Sequence, residues 1–490
     1  MKLFSKYITA CFAYFIWTFS FVAAQDFSNR GTDFWVAYGY HQVMLGNNSQ
    51  DMVLYFAAEQ ASTVTVSIPG TGYTQTYNVA ANSVLTSAPI PKAGIQDARL
   101  LTETGAPENK GIHITSTNPI VCYAHIYNQS VSGATILFPT NTLGRDYYSI
   151  NFENNSNTTN SNCWAYVIAT DTGTTTVEIT PSAATLTKPA GLPFNVTLTQ
   201  GQVFNLMGQT SGSTGVDLTG TRIRSINVGN GCKKIAVFSG SGRINIACGF
   251  QTTATSSDNY MVQAFPKNAW GKKFLTSTAA GNQNFNIFRV CVDDPSTIVT
   301  LNGAPIGLPL QNGFYYQIGP TNQPLRIEAD KPITVAQYFT SQARCGNGSP
   351  GDPEVIYLSP VEQNINRVLF NSNLLVAAGP QHFVNVIVPN GGTGISSFRI
   401  DGALPSVSFT VHPQDPNFSY IKIPNLSQGQ HIIQSDSGFN AIAYGFANAE
   451  SYGYNAGTNV IDLYQFITTQ NANATVNAPV ACKSSPFILS

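Results

Sequence analysis

The sequence predicts an all-β protein made of repeated units, and three observations support this fold class. First, four segments alternate apolar and polar residues and end at Gly or Pro: 62–70, 174–181, 296–303 and 395–402. Second, a Pro-centred motif recurs along the chain: Phe138-Pro139, Phe265-Pro266 and Ser359-Pro360. Third, no segment after the N-terminus has convincing helical periodicity. Such repetition indicates units that bury faces against one another.

Two kinds of segment alternate along this repeat: four-strand segments, and apolar runs that lead into the Pro-centred motif. Partial copies of the second kind lie at both ends, at 33–41 (DFWVAYGYH) and 439–455 (FNAIAYGFANAESYGYN). A closed ring whose last blade is completed by both chain ends needs this likeness, which favours a β-propeller-like ring of about seven or eight blades. Tandem β-sandwich modules are the alternative, and the sequence leaves both open.

The N-terminus predicts secretion. Lys2 and Lys6 precede an apolar run, and Val22-Ala23-Ala24 fits the small-residue cleavage rule, so residues 1–24 are a predicted signal peptide. An uncleaved anchor is the alternative, but the run is short for a membrane span. We expect the repeat domain to occupy 25–460. A polar linker (461–480) and the start of a further β-module (481–490) would follow it.

Composition restricts the partners. Only 10% of the chain is charged, with a net charge of −1, so neither nucleic acid nor an anionic membrane is an expected partner. No later segment is apolar enough to span a membrane. The chain has no Gly-x-Ser-x-Gly elbow, P-loop or Cys-x-x-Cys pair. We therefore expect a protein that is not an enzyme and uses no cofactor.

Cysteines in a secreted chain favour disulfides. Residues 233–238 and 242–247 read as two strands of a hairpin around a Ser-Gly-Ser turn. This register places Cys232 opposite Cys248 at the open end, close enough to be joined. The sequence therefore predicts a Cys232–Cys248 disulfide, and it leaves the other pairings open.

Other side chains could contribute to a ligand site, although each has a common structural explanation. His41 and His125 end aromatic strands at equivalent repeat positions and could share a pocket. Two acidic pairs could bind Ca²⁺ weakly in loops: Asp293 with Asp294, and Asp352 with Glu354. Aromatic side chains could stack on sugars or fill the core: Trp35, Tyr38, Tyr40, Tyr147 and Tyr148.

The segments 30–41 (RGTDFWVAYGYH), 110–127 (KGIHITSTNPIVCYAHIY) and 137–148 (LFPTNTLGRDYY) resemble the IgGFc-binding protein N-terminal domain family. The resemblance covers roughly residues 26–460, and the motif's Leu143-Gly144 becomes Trp270-Gly271 in the second copy. It implies an extracellular binding module that in bacterial members precedes PKD-like β-modules, whose start the last residues resemble. Immunoglobulin binding does not follow from it.

We expect a secreted adhesion or recognition module, with possible attachment to the cell surface. It would present variable loops, Asn154–Asn162 and Ala343–Pro353 above all, to an extracellular protein or glycan. A secreted glycan-processing enzyme on a propeller is the alternative, and it needs two carboxyl groups that converge at one mouth. A structural spacer without a ligand is the third interpretation.

Overall fold

Strands make up most of the ordered structure. A computed structural model describes residues 27–129, 131–226, 233–248 and 256–464, and short strands at 469–471, 477–478 and 487–489. Strands account for 51% of the chain and helices for 5%, which confirms the all-β prediction. The α-helix of these ranges is Gly394–Ser397, and no helix in them is long and apolar enough to cross a membrane.

Short 3₁₀ turns connect several strands: Gln42–Leu45, Gly94–Gln96, Thr140–Thr142, Lys267–Ala269, Gly281–Gln283 and Val361–Gln363. The predicted signal peptide lies outside the described residues, as do most residues of the predicted linker and of the predicted final module.

Within the described residues the strands group into four units, and unit 1 (27–139) gives the pattern. Its strands are β1 (Arg30–Val36), β2 (Asp51–Ala58), β3 (Ser62–Ile68), β4 (Tyr73–Val79), β5 (Ser83–Thr86), β6 (Ile112–Tyr127) and β7 (Ser132–Ile136). The long strand β6 runs through one seven-stranded antiparallel sheet and pairs with different neighbours along its two halves. Its first half lies between β1 and β3, with β4 outside β3. Its second half lies between β2 and β7, with β5 outside β2.

Units 3 and 4 each form one seven-stranded sheet in the same way, and the strands of unit 2 divide into two four-stranded sheets and one three-stranded sheet. Unit 2 (140–266) contains β8 (Asp146–Tyr148), β9 (Asn154–Asn155), β10 (Cys163–Ala169), β11 (Thr174–Thr180), β12 (Phe194–Thr199), β13 (Val203–Met207), β14 (Thr210–Ser211), β15 (Thr214–Gly215), β16 (Arg222–Ser225), β17 (Ile235–Ile244) and β18 (Asp258–Gln263). Unit 3 (267–360) contains β19 (Gly271–Leu275), β20 (Asn286–Val292), β21 (Val299–Leu301), β22 (Ala304–Pro305), β23 (Tyr315–Thr321), β24 (Arg326–Phe339) and β25 (Glu354–Tyr357).

Unit 4 (361–464) contains β26 (Ile365–Ser372), β27 (Gln381–Pro389), β28 (Arg399–Ile400), β29 (Thr410–Val411), β30 (Phe418–Ile423), β31 (Gly429–Ala447) and β32 (Glu450–Gly457). The strands β33 (Thr469–Asn471), β34 (Asn477–Ala478) and β35 (Phe487–Leu489) form a separate small sheet.

The hairpin predicted at 233–247 is wrong, because one strand, β17, runs through it. Gly240 lies within that strand, paired with Trp164 on one side and Met261 on the other. A Cβ atom at Gly240 would lie 2.2 Å from the Trp164 ring. The glycine is therefore needed for close packing within a sheet rather than for a turn.

The recurring Pro-centred motif has a packing explanation. In each of the first three units the proline lies against a glycine at the start of the same unit. A Cβ atom on that glycine would lie 2.2–2.5 Å from the nearest proline ring atom. The three pairs are Gly31 with Pro139, Gly144 with Pro266, and Gly271 with Pro360. Only a residue without a side chain permits this approach.

The last strand of each unit lies at the centre of the molecule, and we name these four the central strands: β7, β18, β25 and β32. β7 packs against β18 and β32, and β25 packs against the same two strands. Unit 4 therefore contacts unit 1. The backbone joins them as well, because Asn29 N donates to Thr458 O (3.1 Å) and Val460 N donates to Phe27 O (2.7 Å). The contacts between units run around a ring, and both predicted architectures, the β-propeller-like ring and the tandem β-sandwich modules, are compatible with this arrangement.

Candidate functional site

Loops at one end of the central strands form a continuous surface, which we name the loop face. It consists of the segments 37–50, 128–129, 149–162, 245–248, 256–257, 276–285, 340–353, 373–380 and 447–449. Each central strand begins directly beneath it. Both loops that the sequence singled out, Asn154–Asn162 and Ala343–Pro353, lie on this surface.

A short segment of unit 2 connects those two loops. Asn157 N donates to the Ser257 hydroxyl (3.2 Å), and the neighbouring Ser256 hydroxyl donates to Asp352 Oδ1 (2.7 Å). The first loop also contacts unit 1, because the Tyr40 hydroxyl donates to Asn160 O (2.8 Å). The two loops are therefore parts of one surface to which three units contribute.

A disulfide fixes this surface across a unit boundary. Cys248 of unit 2 is bonded to Cys345 of unit 3, with 5.4 Å between their Cα atoms. Beside it, Ser341 N donates to Ile246 O (2.8 Å), and Ile246 N donates to the Ser341 hydroxyl (3.1 Å). The loop that contains Cys345 is thereby held against its neighbour.

This bond corrects the predicted pairing of Cys232 with Cys248. Cys232 lies outside the described residues. The predicted register required a hairpin, and the single strand β17 instead carries Cys248 away towards the loop face, where Cys345 is its partner. The pairing depends on the contact between units 2 and 3, and this contact cannot be predicted from the register of a local hairpin.

Unusual backbone conformations concentrate on the same surface. Among the described residues, most non-glycine residues with positive φ are Asn or Asp, which tolerate that region well. The exceptions are Ala343 (φ 57°), Cys345 (φ 55°) and Ala449 (φ 53°). Ala449 N donates to Gln342 Oε1 (3.0 Å), so the three are neighbours. Strained backbone that is held in place by its surroundings concentrates at functional sites.

Four carboxyl groups with no solvent exposure lie beneath the loop face: Asp258, Asp352, Glu354 and Glu450. Asp258 joins three units, because its oxygens accept from the backbone N–H groups of Ser132 in unit 1 and Ser451 in unit 4. Glu354 Oε2 accepts from Gly453 N (3.1 Å).

Burial and mutual repulsion favour the protonated forms of these groups. Burial, followed by the charge of Asp352, raises the pKa of Asp258 well above its usual range. Burial likewise raises the pKa of Glu354 and of Glu450, and it raises the pKa of Asp352 to about 7. We name these four residues the carboxyl cluster.

The two candidate histidines are fully buried. His41 accepts through Nδ1 from Val43 N (3.3 Å) and caps the adjacent turn. His125 lies between the Tyr55 hydroxyl (3.0 Å) and the Ser132 hydroxyl (2.7 Å). Burial lowers the pKa of both to about 3, so both are neutral under ordinary conditions.

The candidate aromatic side chains belong to the core, since each is at most 9% exposed: Trp35, Tyr38, Tyr40, Tyr147 and Tyr148. Of the proposed Ca²⁺ ligands, Asp293 pairs with Lys267 and Asp294 pairs with Lys331. In the described ranges no group of three or more His, Cys, Asp or Glu side chains is placed to hold a metal ion.

Sequence reasoning named Asp352 and Glu354, as a candidate Ca²⁺ pair in a loop, but it missed Asp258, Glu450 and the burial of all four groups, although a signal was present. Asp258, Glu354 and Glu450 are each the first residue of a central strand, and Ser132 holds that position in unit 1. A comparison of the repeats at this position would have shown an acidic residue in three of four copies.

Residues 133–445 match the family described as IgGFc binding protein. The match runs from β7 to β31 and covers well over half of the chain. No curated protein matches the chain. The family is one of extracellular binding proteins, and the Cys248–Cys345 disulfide agrees with an extracellular location. The family is not known for catalysis. The chain therefore belongs to the IgGFc-binding protein family.

Proposed function

We propose that this chain is a secreted recognition module that binds an extracellular protein or glycan through the loop face. The observation that carries the proposal is the coincidence, on one surface, of strained backbone at Ala343, Cys345 and Ala449 with a disulfide between units. A loop fixed in its binding conformation loses less conformational entropy when it binds.

The exposed side chains of the loop face suit hydrogen bonding to a polar partner. They include Asn157, Thr159, Asn160, Ser349 and Asn448. Amide and hydroxyl groups of this kind supply adaptable hydrogen bonds on binding surfaces. The name of the family refers to the Fc part of IgG, so an Fc fragment is the first protein ligand to test.

The glycan-processing alternative finds no support in the carboxyl cluster. Such a site needs two carboxyl groups within reach of substrate. The four groups beneath the loop face are buried, and Asp258 and Glu354 accept hydrogen bonds from backbone. Secretion after removal of residues 1–24, attachment to a cell surface, and further modules after the 461–480 linker remain part of this proposal.

The test uses the mature chain against immobilised Fc fragment and against a glycan array. Asn157→Arg adds bulk and charge to the exposed loop face. Gln75→Arg adds the same bulk and charge to β4, the exposed edge strand beside β3 in unit 1. We expect Asn157→Arg to weaken binding at least tenfold and Gln75→Arg to leave it unchanged. If Gln75→Arg weakened binding and Asn157→Arg did not, the loop face would be rejected as the binding surface. If the parent chain bound neither the Fc fragment nor any glycan, the structural-spacer interpretation would be favoured.

A further inference from the structure

A cleft lies at the end of the central strands opposite the loop face. It is a cleft of about 840 Å³ formed where the connections between units meet the two terminal segments. It is lined by Phe27, Asn141–Asp146, Lys234, Lys267, Asn268, Pro332, Val460, Asp462 and Tyr464. Clefts of this size are typical of small-ligand sites. The central strands separate it from the loop face, so the two sites are independent.

The lining carries more positive than negative charge. Its cations are Arg145, Lys234 and Lys267, and its carboxylates are Asp146 and Asp462. Asp146 is paired with Arg222, which is not part of the lining, at 2.6 Å. Lys267 is similarly paired with Asp293 from outside the lining.

Lys234 differs from the other lysine of the cleft. Its Nζ donates to the carbonyl oxygens of Asn141 (2.8 Å) and Thr140 (3.2 Å), and no carboxylate of the described residues forms an ion pair with it. An ammonium group has three N–H donors, so Lys234 retains one donor and a full charge for a ligand. Two fixed carbonyls hold that charge in position.

The remaining lining suits a sugar ring. Phe27 and Tyr464 are 36% and 38% exposed, which is unusual for the aromatic side chains of this chain. The Tyr464 hydroxyl donates to Trp270 O (2.6 Å), which fixes the orientation of its ring. Asn268, whose Nδ2 donates to Asp462 Oδ2 (2.9 Å), retains its amide oxygen as an acceptor for a sugar hydroxyl group. An apolar ring face, hydroxyls and a carboxylate are combined in uronic and sialic acids.

We propose that this cleft binds a carboxylate-bearing sugar, with the carboxylate on Lys234 and the ring against Tyr464 and Phe27. The sugar could be free or at the end of an extracellular glycan, and the two sources share the same recognition chemistry. The proposal goes beyond recognition at the loop face and does not depend on it.

The experiment measures binding of sialyllactose to the mature chain by calorimetry, with lactose as the matched neutral probe and free sialic acid as the second source. Lys234→Met removes the charge at similar length, Lys234→Arg retains it, and Lys331→Met is the control at a lysine on unit 3. Melting curves establish that each variant is folded, and Tyr464→Leu removes the ring without touching Lys234.

We expect sialyllactose to bind and lactose to bind far more weakly. Loss of a charge-assisted hydrogen bond should weaken sialyllactose binding about tenfold in Lys234→Met, whereas Lys234→Arg and Lys331→Met retain it. Binding should fall as salt is raised. Equal affinity for free sialic acid would identify the monosaccharide as sufficient, and weaker affinity would identify the glycan end as the ligand.

Three results would overturn the proposal: equal binding of lactose and sialyllactose, undiminished binding by folded Lys234→Met, or displacement of the sugar by a short Asp/Glu peptide that binds more tightly. The last would assign the cleft to an acidic peptide instead. Asn157→Arg on the loop face should leave sialyllactose binding unchanged, so failure of one site does not imply failure of the other.

Discussion

The Tyr123 hydroxyl donates a hydrogen bond to the carbonyl oxygen of Leu369, 2.9 Å away and 246 positions further along the chain. The same kind of contact joins consecutive units. The Tyr338 hydroxyl of unit 3 donates to Asn151 O of unit 2 (2.8 Å), and Ala280 N of unit 3 donates to the Tyr444 hydroxyl of unit 4 (2.7 Å). Unit 1 therefore docks onto unit 4 much as units 3 and 4 dock onto the units before them.

Tyr123→Phe should destabilise the whole protein. It leaves the carbonyl of Leu369 without its buried donor, and such a loss costs about 1–3 kcal/mol in the free energy of unfolding. Tyr338→Phe is the matched variant at an interior junction. Calorimetry should give one transition that both variants lower by similar amounts. A Tyr123→Phe protein as stable as the parent would show that units 1 and 4 are not joined in solution.

Deletion of residues 27–41 tests the junction more severely. It removes β1 and the backbone contacts to Thr458 and Val460, so the edges of units 1 and 4 are both exposed. We expect loss of cooperative melting for the entire repeat domain. Independent modules would behave differently: the later units would still melt sharply at an unchanged temperature.

Peptide mapping without reduction should recover Cys248 joined to Cys345. Because the bond closes a loop of 97 positions, Cys345→Ser should lower the free energy of unfolding by about 2–4 kcal/mol. Ser is close to Cys in size, so the change mainly removes the bond. Ligand binding at the loop face should weaken in the same variant. Recovery of Cys232 joined to Cys248 instead would contradict the structure and restore the hairpin register.

The carboxyl cluster predicts that stability falls as pH rises. The folded pKa of Asp352 is about 7 and lies above its unfolded value. Its contribution is therefore complete below an unfolded pKa of about 4 and is lost as pH rises through the folded value. Asp258, Glu354 and Glu450 shift in the same direction. His41 and His125, with lowered pKa values, act oppositely, but only below about pH 6.5.

Measurements between about pH 6.5 and 7.5 therefore report mainly on the carboxyl groups, because the histidines act below this window and Lys422, whose pKa burial lowers to about 8, acts above it. We expect the free energy of unfolding to decrease over this window and Asp352→Asn to decrease less. At the alkaline end the variant should be the more stable protein, by a few kcal/mol at most. Asp330→Asn, at an exposed position of β24, serves as the control and should follow the parent. Parallel pH profiles for parent and Asp352→Asn would show that Asp352 is already ionised at neutral pH.

The sequence was sufficient for the fold class because strand alternation and Gly or Pro boundaries are local signals. It was misleading at Gly240, where a glycine that reads as a turn instead accommodates the Trp164 ring. It could not supply the Cys345 partner or the contact of Asp258 with Ser451, which are separated by 97 and 193 positions. These contacts exist only after separate units have docked.

The side-by-side position of Phe27 and Val460 has a mechanical consequence. Both lie at the end opposite the loop face, and hydrogen bonds join residues 27–29 to residues 458–460. A pull on the chain beyond Tyr464 is therefore met first by residues 458–464 and their contacts with Asn29 and Asn268, before it reaches the central strand β32. Tethered by this end, the protein would hold its loop face outward. Traction between such a tether and a ligand on the loop face would pass through the hydrogen bonds of residues 458–464 with Asn29 and Asn268.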